Sequence, residues 1–254
     1  MPKLIFLGTG TSCGVPQLGC KCSVCTSTNP HDKRLRTSAL YQSDDGCNLL
    51  IDCGPDFRQQ MLSLPFMPID AVLITHEHYD HVGGIDDLRP YTYKREVDIY
   101  APKTCADHLR VRMPYCFVED KYPGVPMINL HALQNEKFIS VKKQKIELIR
   151  VMHGQMPILA YRIGDMAYIT DMSSISTEEK LKLNGVKILI VNALRHKPHH
   201  SHQSLQAALQ LIEEVGAERN YLIHMSHEIG LHESVESSLP QGVHLAYDGL
   251  EIVW

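Results

Sequence analysis

An α/β fold is predicted for this chain, and three observations carry the prediction. Strand-length hydrophobic runs alternate with helix-length segments along the 254 residues. Several runs end in a polar residue (Asp52, Thr75, Thr170-Asp171, Asn192, His224), so a sheet built from them has a polar rim. One run, Ala71 to Ile74, leads into Thr75-His76-Glu77-His78-Tyr79-Asp80-His81, with three imidazoles and two carboxylates between His76 and His81. Ligand sites of open α/β sheets collect where strands end.

The elements follow in order. Leu4–Leu7 is wholly apolar and passes into a Gly-rich turn. Asn48–Asp52 and Ala71–Thr75 read as buried strands with polar ends. The same criterion gives strands at Asp98–Tyr100, Ile146–Val151, Ala160–Arg162, Ala167–Thr170, Ile188–Val191, Tyr221–His224 and Gly249–Val253. Helices are predicted at Pro55–Leu62, Ile85–Tyr91, Thr104–Met113, Ser176–Leu183 and Ser204–Val215. In the last, Leu205, Leu209 and Ile212 recur at helical spacing with Ala208 beside them, and Ser201 or Ser204 can cap the N-terminus. No repeat, low-complexity segment or Pro/Gly-rich linker interrupts the chain, so residues 1–254 are expected to form one domain.

Composition narrows the class of protein. The chain is 44% hydrophobic and 21% charged, with a net charge of −4 and a pI near 6.4. That balance offers no generic attraction for a nucleic-acid polymer. The run Lys142-Lys143-Gln144-Lys145 is short and reads as a solvated turn or strand. No apolar stretch approaches the roughly 18 residues of a membrane span. Met1 to Gly8 runs directly into a strand and turn without the pattern of a signal peptide, so a cytoplasmic location and reduced thiols are expected.

The histidine cluster implies metal. Neighbours as close as His76, His78, Asp80 and His81 cannot all converge on one ion, but two adjacent ions could share them. Such a pair suits hydrolysis in which the attacking and leaving oxygens are both held. Further ligands are sought just beyond strands. His153 follows Ile149–Met152, Asp171 follows Met166–Thr170, and His224 ends Tyr221–Ile223. The expected sets are His76, His78, His153 and Asp171 on one metal, and Asp80, His81, Asp171 and His224 on the other. Mixed imidazole and carboxylate donors suit Zn²⁺, Mn²⁺ or Fe²⁺.

His-x-His-x-Asp-His at 76–81, followed by a downstream His, Asp and His, resembles the metallo-β-lactamase superfamily. The resemblance spans nearly the whole chain. It implies an αββα four-layer sandwich, in which two mixed β-sheets face each other with helices outside and a dinuclear centre lies at one edge. It also implies that Asp52 orients the metal-binding loop. Leu7-Gly8-Thr9-Gly10-Thr11-Ser12-Cys13-Gly14-Val15-Pro16 resembles the opening of the phosphodiesterase branch that includes tRNase Z. Cys20, Cys22 and Cys25 need a fourth ligand to close a tetrahedral site, and His227, three residues past His224, is the candidate. This combination resembles the PhnP-type phosphodiesterases, in which a structural Cys₃His zinc sits beside the dinuclear centre.

By analogy with that branch, His202, two residues before the helix start Ser204-Leu205, is the catalytic histidine. It would protonate the leaving oxygen or stabilise charge on phosphate. Asp80 joins it in the expected catalytic set. His196, His199 and His200 read as loop residues or substrate contacts. Where related phosphodiesterases can carry an acid, this chain has Asn192, which could orient His202 through its amide oxygen. Arg89, Tyr91, Tyr93 and the loop Tyr115–Pro126 are expected to line the pocket, with Arg89 on a second phosphate.

The expected reaction is hydrolysis of a small cyclic phosphate or nucleotide diester by a hydroxide held between two Zn or Mn ions. Rival readings are a thioester or lactone hydrolase, a tRNA 3′-processing nuclease, and a non-enzymatic zinc or redox sensor. The resemblance also implies a homodimer.

Overall fold

The computed structural model describes residues 1–93 and 95–254. Among the described residues, fifteen strands form two mixed sheets. The first has the order β15 (Glu251–Val253), β1 (Lys3–Gly8), β2 (Ser38–Gln42), β3 (Asn48–Ile51), β4 (Ala71–Leu73), β5 (Val97–Pro102) and β6 (Ile128–Leu133). The second runs β11 (Ser174–Ile175), β8 (Gln144–His153), β9 (Met156–Ile163), β10 (Met166–Ile169), β12 (Ile188–Asn192), β13 (Arg219–Ile223) and β14 (Val243–Leu245), with β7 (Phe138–Val141) also paired to β8. Each sheet is antiparallel in one half and parallel in the other. In the first, β3, β4, β5 and β6 are parallel neighbours; in the second, β10, β12, β13 and β14 are.

Strand alternation builds the layers. In β1, Leu4 and Phe6 face Tyr161, Tyr168 and Tyr221 of the opposite sheet. Ile5 and Leu7 turn outward onto Phe57, Met61 and Ile74. The outer face of the second sheet, including Ile149, Ile169 and Val191, carries Leu205, Ala208, Leu211 and Ile212 of the helix Leu205–Val215. The expected αββα sandwich is therefore present. Ser204 caps that helix by accepting from the amide of Ala207, and Gly216, at φ 68°, ends it in the left-handed conformation.

The predicted elements recur with shifted ends. The helix expected at Ile85–Tyr91 is a 3₁₀ segment, Ile85–Leu88, followed by an α-turn, Arg89–Thr92. The strands β2, β6, β7, β11 and β14 and the short helix Tyr79–Val82 escaped the sequence reading. Lys142, in the basic run, sits in the β7–β8 turn and pairs with Asp70 at 2.6 Å. Among the described residues, no helix is long and apolar enough to cross a membrane.

Candidate metal centre

Strand ends of both sheets deliver the site to one edge of the sandwich. Asp52 follows β3, His76 to His81 follow β4, His153 ends β8, Asp171 follows β10 and His224 follows β13. Asp52, Asp171 and His224 take φ values of 59°, 58° and 56°. This left-handed region is rare for side-chain-bearing residues, and such conformations gather at functional sites. Each sharp turn swings a polar side chain off the strand end into the shared edge.

The histidine loop is clamped to the loop after β3. The amide of Cys53 donates to the carbonyl of His81 at 2.8 Å, and that of Gly84 to the carbonyl of Cys53 at 2.9 Å. The approach is so close that a Cβ on Gly54 would lie 2.1 Å from the Asp80 carbonyl oxygen, and one on Gly84 would lie 2.0 Å from that of Gly54. Glycine is required at both positions.

Two sets of side chains converge. His76, His78 and His153 form one; Asp80, His81, Asp171 and His224 form the other. Within each set the available ligand atoms lie within 4.8 Å of one another. The second group is the one expected from sequence; the first lacks the Asp171 expected in it, and Asp171 instead also groups with His153 and His202. Asp171 Oδ2 lies 3.4 Å from His81 Nε2 and 3.8 Å from His76 Nε2, and its Oδ1 lies 3.0 Å from His224 Nδ1.

Hydrogen bonds behind the rings aim them inward. Asp52 takes His81 Nδ1 at 2.7 Å, leaving Nε2 toward Asp80 and Asp171. The Thr75 hydroxyl donates to Asp52 and accepts from His76 Nδ1 at 3.0 Å, so Asp52 also orients His76 through Thr75. His153 Nδ1 donates to the carbonyls of Asp171 and Ser201 at 2.7 and 2.8 Å. Thr11 holds His224 Nε2 at 3.2 Å. The sequence reading missed Thr11 and Thr75, although both sit in segments it had singled out.

The inward-facing His81 Nε2 and His224 Nδ1 are buried and make no hydrogen bond. Buried polar atoms without a partner are costly, and a cation would satisfy these two. Electrostatics agree. Burial would lower the pKa of His81, but Asp171, Asp80 and Asp52 outweigh it and raise the pKa well above the usual value. The carboxylates thus demand positive charge at this point. Burial keeps His76, His78 and His224 below the ordinary histidine range, in the neutral form that binds metal. The residues present fit divalent ions.

A second cluster lies on the same edge. Cys20, Cys22, Cys25 and His227 bring their ligand atoms within 4.8 Å of one another. His227 Nδ1 is 3.3 Å from Cys22 Sγ and 3.7 Å from Cys20 Sγ. The Cys25 amide donates to Cys22 Sγ and, with His227 beside it, brings that thiol down to about 6, so it is a thiolate near neutrality. Burial pushes Cys25 up to about 11.

His202 stacks on His224 with ring centroids 4.9 Å apart, and its Nδ1 lies 3.9 Å from Asp171 Oδ2. A cavity of about 510 Å³ opens over this group, lined by Ser12, His78, Asp80, Gln155, Met156, His200 and His202 among others.

Two expectations need correction. Asn192 does not orient His202. Its Oδ1 accepts from the Met172 amide at 2.8 Å and its Nδ2 donates to the Met172 carbonyl at 3.0 Å, so the whole amide pins the residue after Asp171. An acid could not supply the donor. Asn192→Asp is therefore expected to cost about 1–3 kcal/mol in a denaturant titration, because it puts a buried carboxylate oxygen against the Met172 carbonyl, which then keeps only its bond from the Gln203 amide. Arg89, Tyr91 and Tyr93 do not line this cavity. Arg89 is held by Asp86 at 2.8 Å and by the carbonyl of Gly124 within the loop Tyr115–Pro126. Tyr91 stacks on Phe66 at 4.9 Å. Their segment packs on the outer face of the first sheet, where Tyr91 and Tyr93 line a separate groove with Phe57 and Met61.

An αββα sandwich with ligand-type side chains converging at one edge is the architecture of the metallo-β-lactamase fold. The chain belongs to the β-lactamase superfamily, whose domain model matches residues 47–225, and within it to the PhnP family. The crystal structure of a diphosphatase from the PhnP family superposes with a TM-score of 0.92 at 39% identity, covering 99% of this chain and 96% of that one. An octanoyltransferase of Porphyromonas gingivalis strain W83 is 46% identical over 252 residues, covering 99% of this chain but 51% of the relative. The chain thus spans about half the length of that curated relative. Human tRNase Z, short form, shares the fold with a TM-score of 0.72 at 19% identity, covering 99% of this chain and 98% of that one.

Proposed function

We propose that residues 1–254 act as one metal-dependent phosphodiesterase domain on a small phosphodiester. The observation that carries this reading is the cavity over the two ligand sets. Its walls are imidazole, carboxylate, hydroxyl and amide, and Met156 is their one large apolar side chain. A compact anionic group suits such a lining; the acyl chain of a thioester would find little apolar wall.

In this reading His76, His78, His153 and Asp171 hold one divalent ion, and Asp80, His81, Asp171 and His224 hold the other. Zn²⁺ or Mn²⁺ is the metal, and a separate zinc occupies the Cys₃His site. The active-site ions, when bound, supply an activated water and neutralise charge on the phosphate. Asp80 and Asp171 both approach His81 Nε2, at 3.2 and 3.4 Å. Asp52, directly at His81 and through Thr75 at His76, fixes which ring nitrogens face the centre.

His202 borders the cavity beside His153 and His224. Burial, with His224 beside it, brings its pKa down to about 3, so its ring is neutral before substrate arrives. It therefore serves first as a neutral N–H donor to a phosphate oxygen, and the arriving anion favours its protonation for the leaving oxygen. His202→Gln is expected to lower kcat by about 10²-fold without loss of bound metal, measured by steady-state kinetics beside elemental analysis.

Cleavage of a phosphoanhydride is a second reading, supported by the likeness to a diphosphatase at 39% identity. The octanoyltransferase name describes a relative of about twice the matched length, and acyl chemistry draws no support from the polar cavity. We place the protein in the cytoplasm as a homodimer acting on a small phosphodiester rather than a nucleic-acid polymer.

The test is hydrolysis of an activated phosphodiester against its matching phosphomonoester, using metal-stripped protein refilled with Mn²⁺ or Zn²⁺. Metal-dependent diester turnover with little monoester turnover supports the proposal. No turnover of either by protein with filled sites overturns it.

A further inference from the structure

Four of the five histidines in the two ligand sets have a partner behind the ring. Asp52 serves His81, Thr75 serves His76, two carbonyls serve His153 and Thr11 serves His224. His78 differs. Among the described residues its one side-chain hydrogen bond runs from Nδ1 to the inward-facing His76 Nε2 at 3.0 Å, on the metal side of the ring. It is also the exposed member of its set, whereas His76 and His153 are buried. Its orientation therefore depends on the backbone that carries it.

That backbone is held from outside. The helix Lys103–Arg112 buries Cys105, Ala106 and Leu109 in the same apolar layer as Val72 and Ile74, the strand segment that leads into His76. The helix is thus a fixed platform beside the histidine loop. Arg112 Nη1 donates to the Glu77 carbonyl at 3.1 Å, and His108 Nδ1 lies 2.7 Å from Glu77 Oε2. Residues four apart share one helix face, so one face takes both the main chain and the side chain of Glu77. The Glu77 carbonyl belongs to the peptide bond that joins it to His78. On the other side of His78, its own carbonyl accepts from the His81 amide at 3.0 Å.

These contacts are distinct from the ordinary charge pairs of the helix. Asp107 is shared by Lys103 and Arg110, at 2.5 and 3.3 Å, within the helix itself. His108 and Arg112 instead reach across to the loop. Neither His108 nor Glu77 belongs to a group of ligand-type side chains among the described residues, so the contact lies outside the ligand sets.

We propose that His108 and Arg112 are positioning residues that act through Glu77 to fix His78, and that they set the affinity for the ion of the first ligand set. This rests on the reading that His76, His78 and His153 hold a metal, and not on which ester is cleaved.

The experiment titrates metal-stripped full-length protein with Zn²⁺ against a chromophoric chelator and records the melting temperature of the stripped protein. The double variant His108→Ala, Arg112→Ala is expected to bind one active-site ion about tenfold more weakly, as loss of groups that orient a metal ligand does, and the other unchanged. The metal-free melting temperature should stay within about 2 °C of wild type, because exposed polar pairs contribute little to stability. Arg112→Lys, which keeps a donor, should retain more affinity than Arg112→Ala. His78→Ala should weaken the same ion, and adding the double substitution to it should cost nothing further, because the helix acts through His78. Unchanged affinities in the double variant overturn the inference. So does a loss that persists in full on top of His78→Ala, or one shared by every bound ion together with a lower metal-free melting temperature. A wild type inert toward phosphodiesters, with the coupling to His78 intact, would overturn the phosphodiesterase reading and leave the role of the helix standing.

Discussion

Asp171→Ala is expected to abolish turnover, with a loss of roughly 1,000-fold or more in kcat/KM, and to lower the metal bound at the active site. Asp171 sits where the two ligand sets meet, within 3.0–3.8 Å of His224, His81 and His76. Its carboxylate is fully buried; burial alone would raise its pKa, but His224 and His81 hold it well below the usual range. The substitution removes charge and ligand geometry together. Elemental analysis and diester kinetics on the same preparation check the expectation. Full metal content with full activity would show that Asp171 only shapes the loop.

The second large effect is expected at the cysteine cluster. Cys22→Ser should release the proposed structural metal, lower the melting temperature and reduce activity at a distance. The cluster joins the loop containing residues 20–25 to the turn after β13, and His227 is only three residues from His224. Apart from it, the apolar contacts there are few: Val15, Val24 and Cys25, with Cys20 and Cys22 at their margin. A drop of about 10 °C is expected, corresponding to about 3 kcal/mol in a domain of this size. In the wild type, metal affinity at this site should fall as pH is lowered, because protons compete with the metal for the cysteine thiolates and His227. Calorimetry with and without a chelator measures both effects. An unchanged melting temperature in Cys22→Ser, with chelator-treated wild type equally stable, would rule out a structural role for the metal.

The sequence by itself determined the ligand chemistry. Apolar strands ending in His, Asp and Asn made the polar rim legible, since a continuous apolar run and the polarity of its end are local properties. The spacing of His76, His78, Asp80 and His81 required two groups rather than one, and the later His153, Asp171 and His224 fell at further strand ends. Cys20, Cys22 and Cys25 lacked a fourth ligand, and His227 was found by its nearness to His224 in the chain. Short strands such as β2 and β11 were less legible, because pairing with a neighbour rather than hydrophobic pattern makes them strands. Only the tertiary structure decided the partners of side chains far apart in sequence. Asn192 reads equally well as a support for His202 or for the Asp171 loop; the register of β12 beside β10 gives its amide to Met172. Arg89 and Tyr91 follow the histidine cluster closely in sequence, yet their helix covers the opposite face of the first sheet. Which side of a sheet a segment packs against depends on connections that no local pattern encodes, and that choice removed Arg89 from the cavity while bringing Ser12, Ser201 and His200 to it.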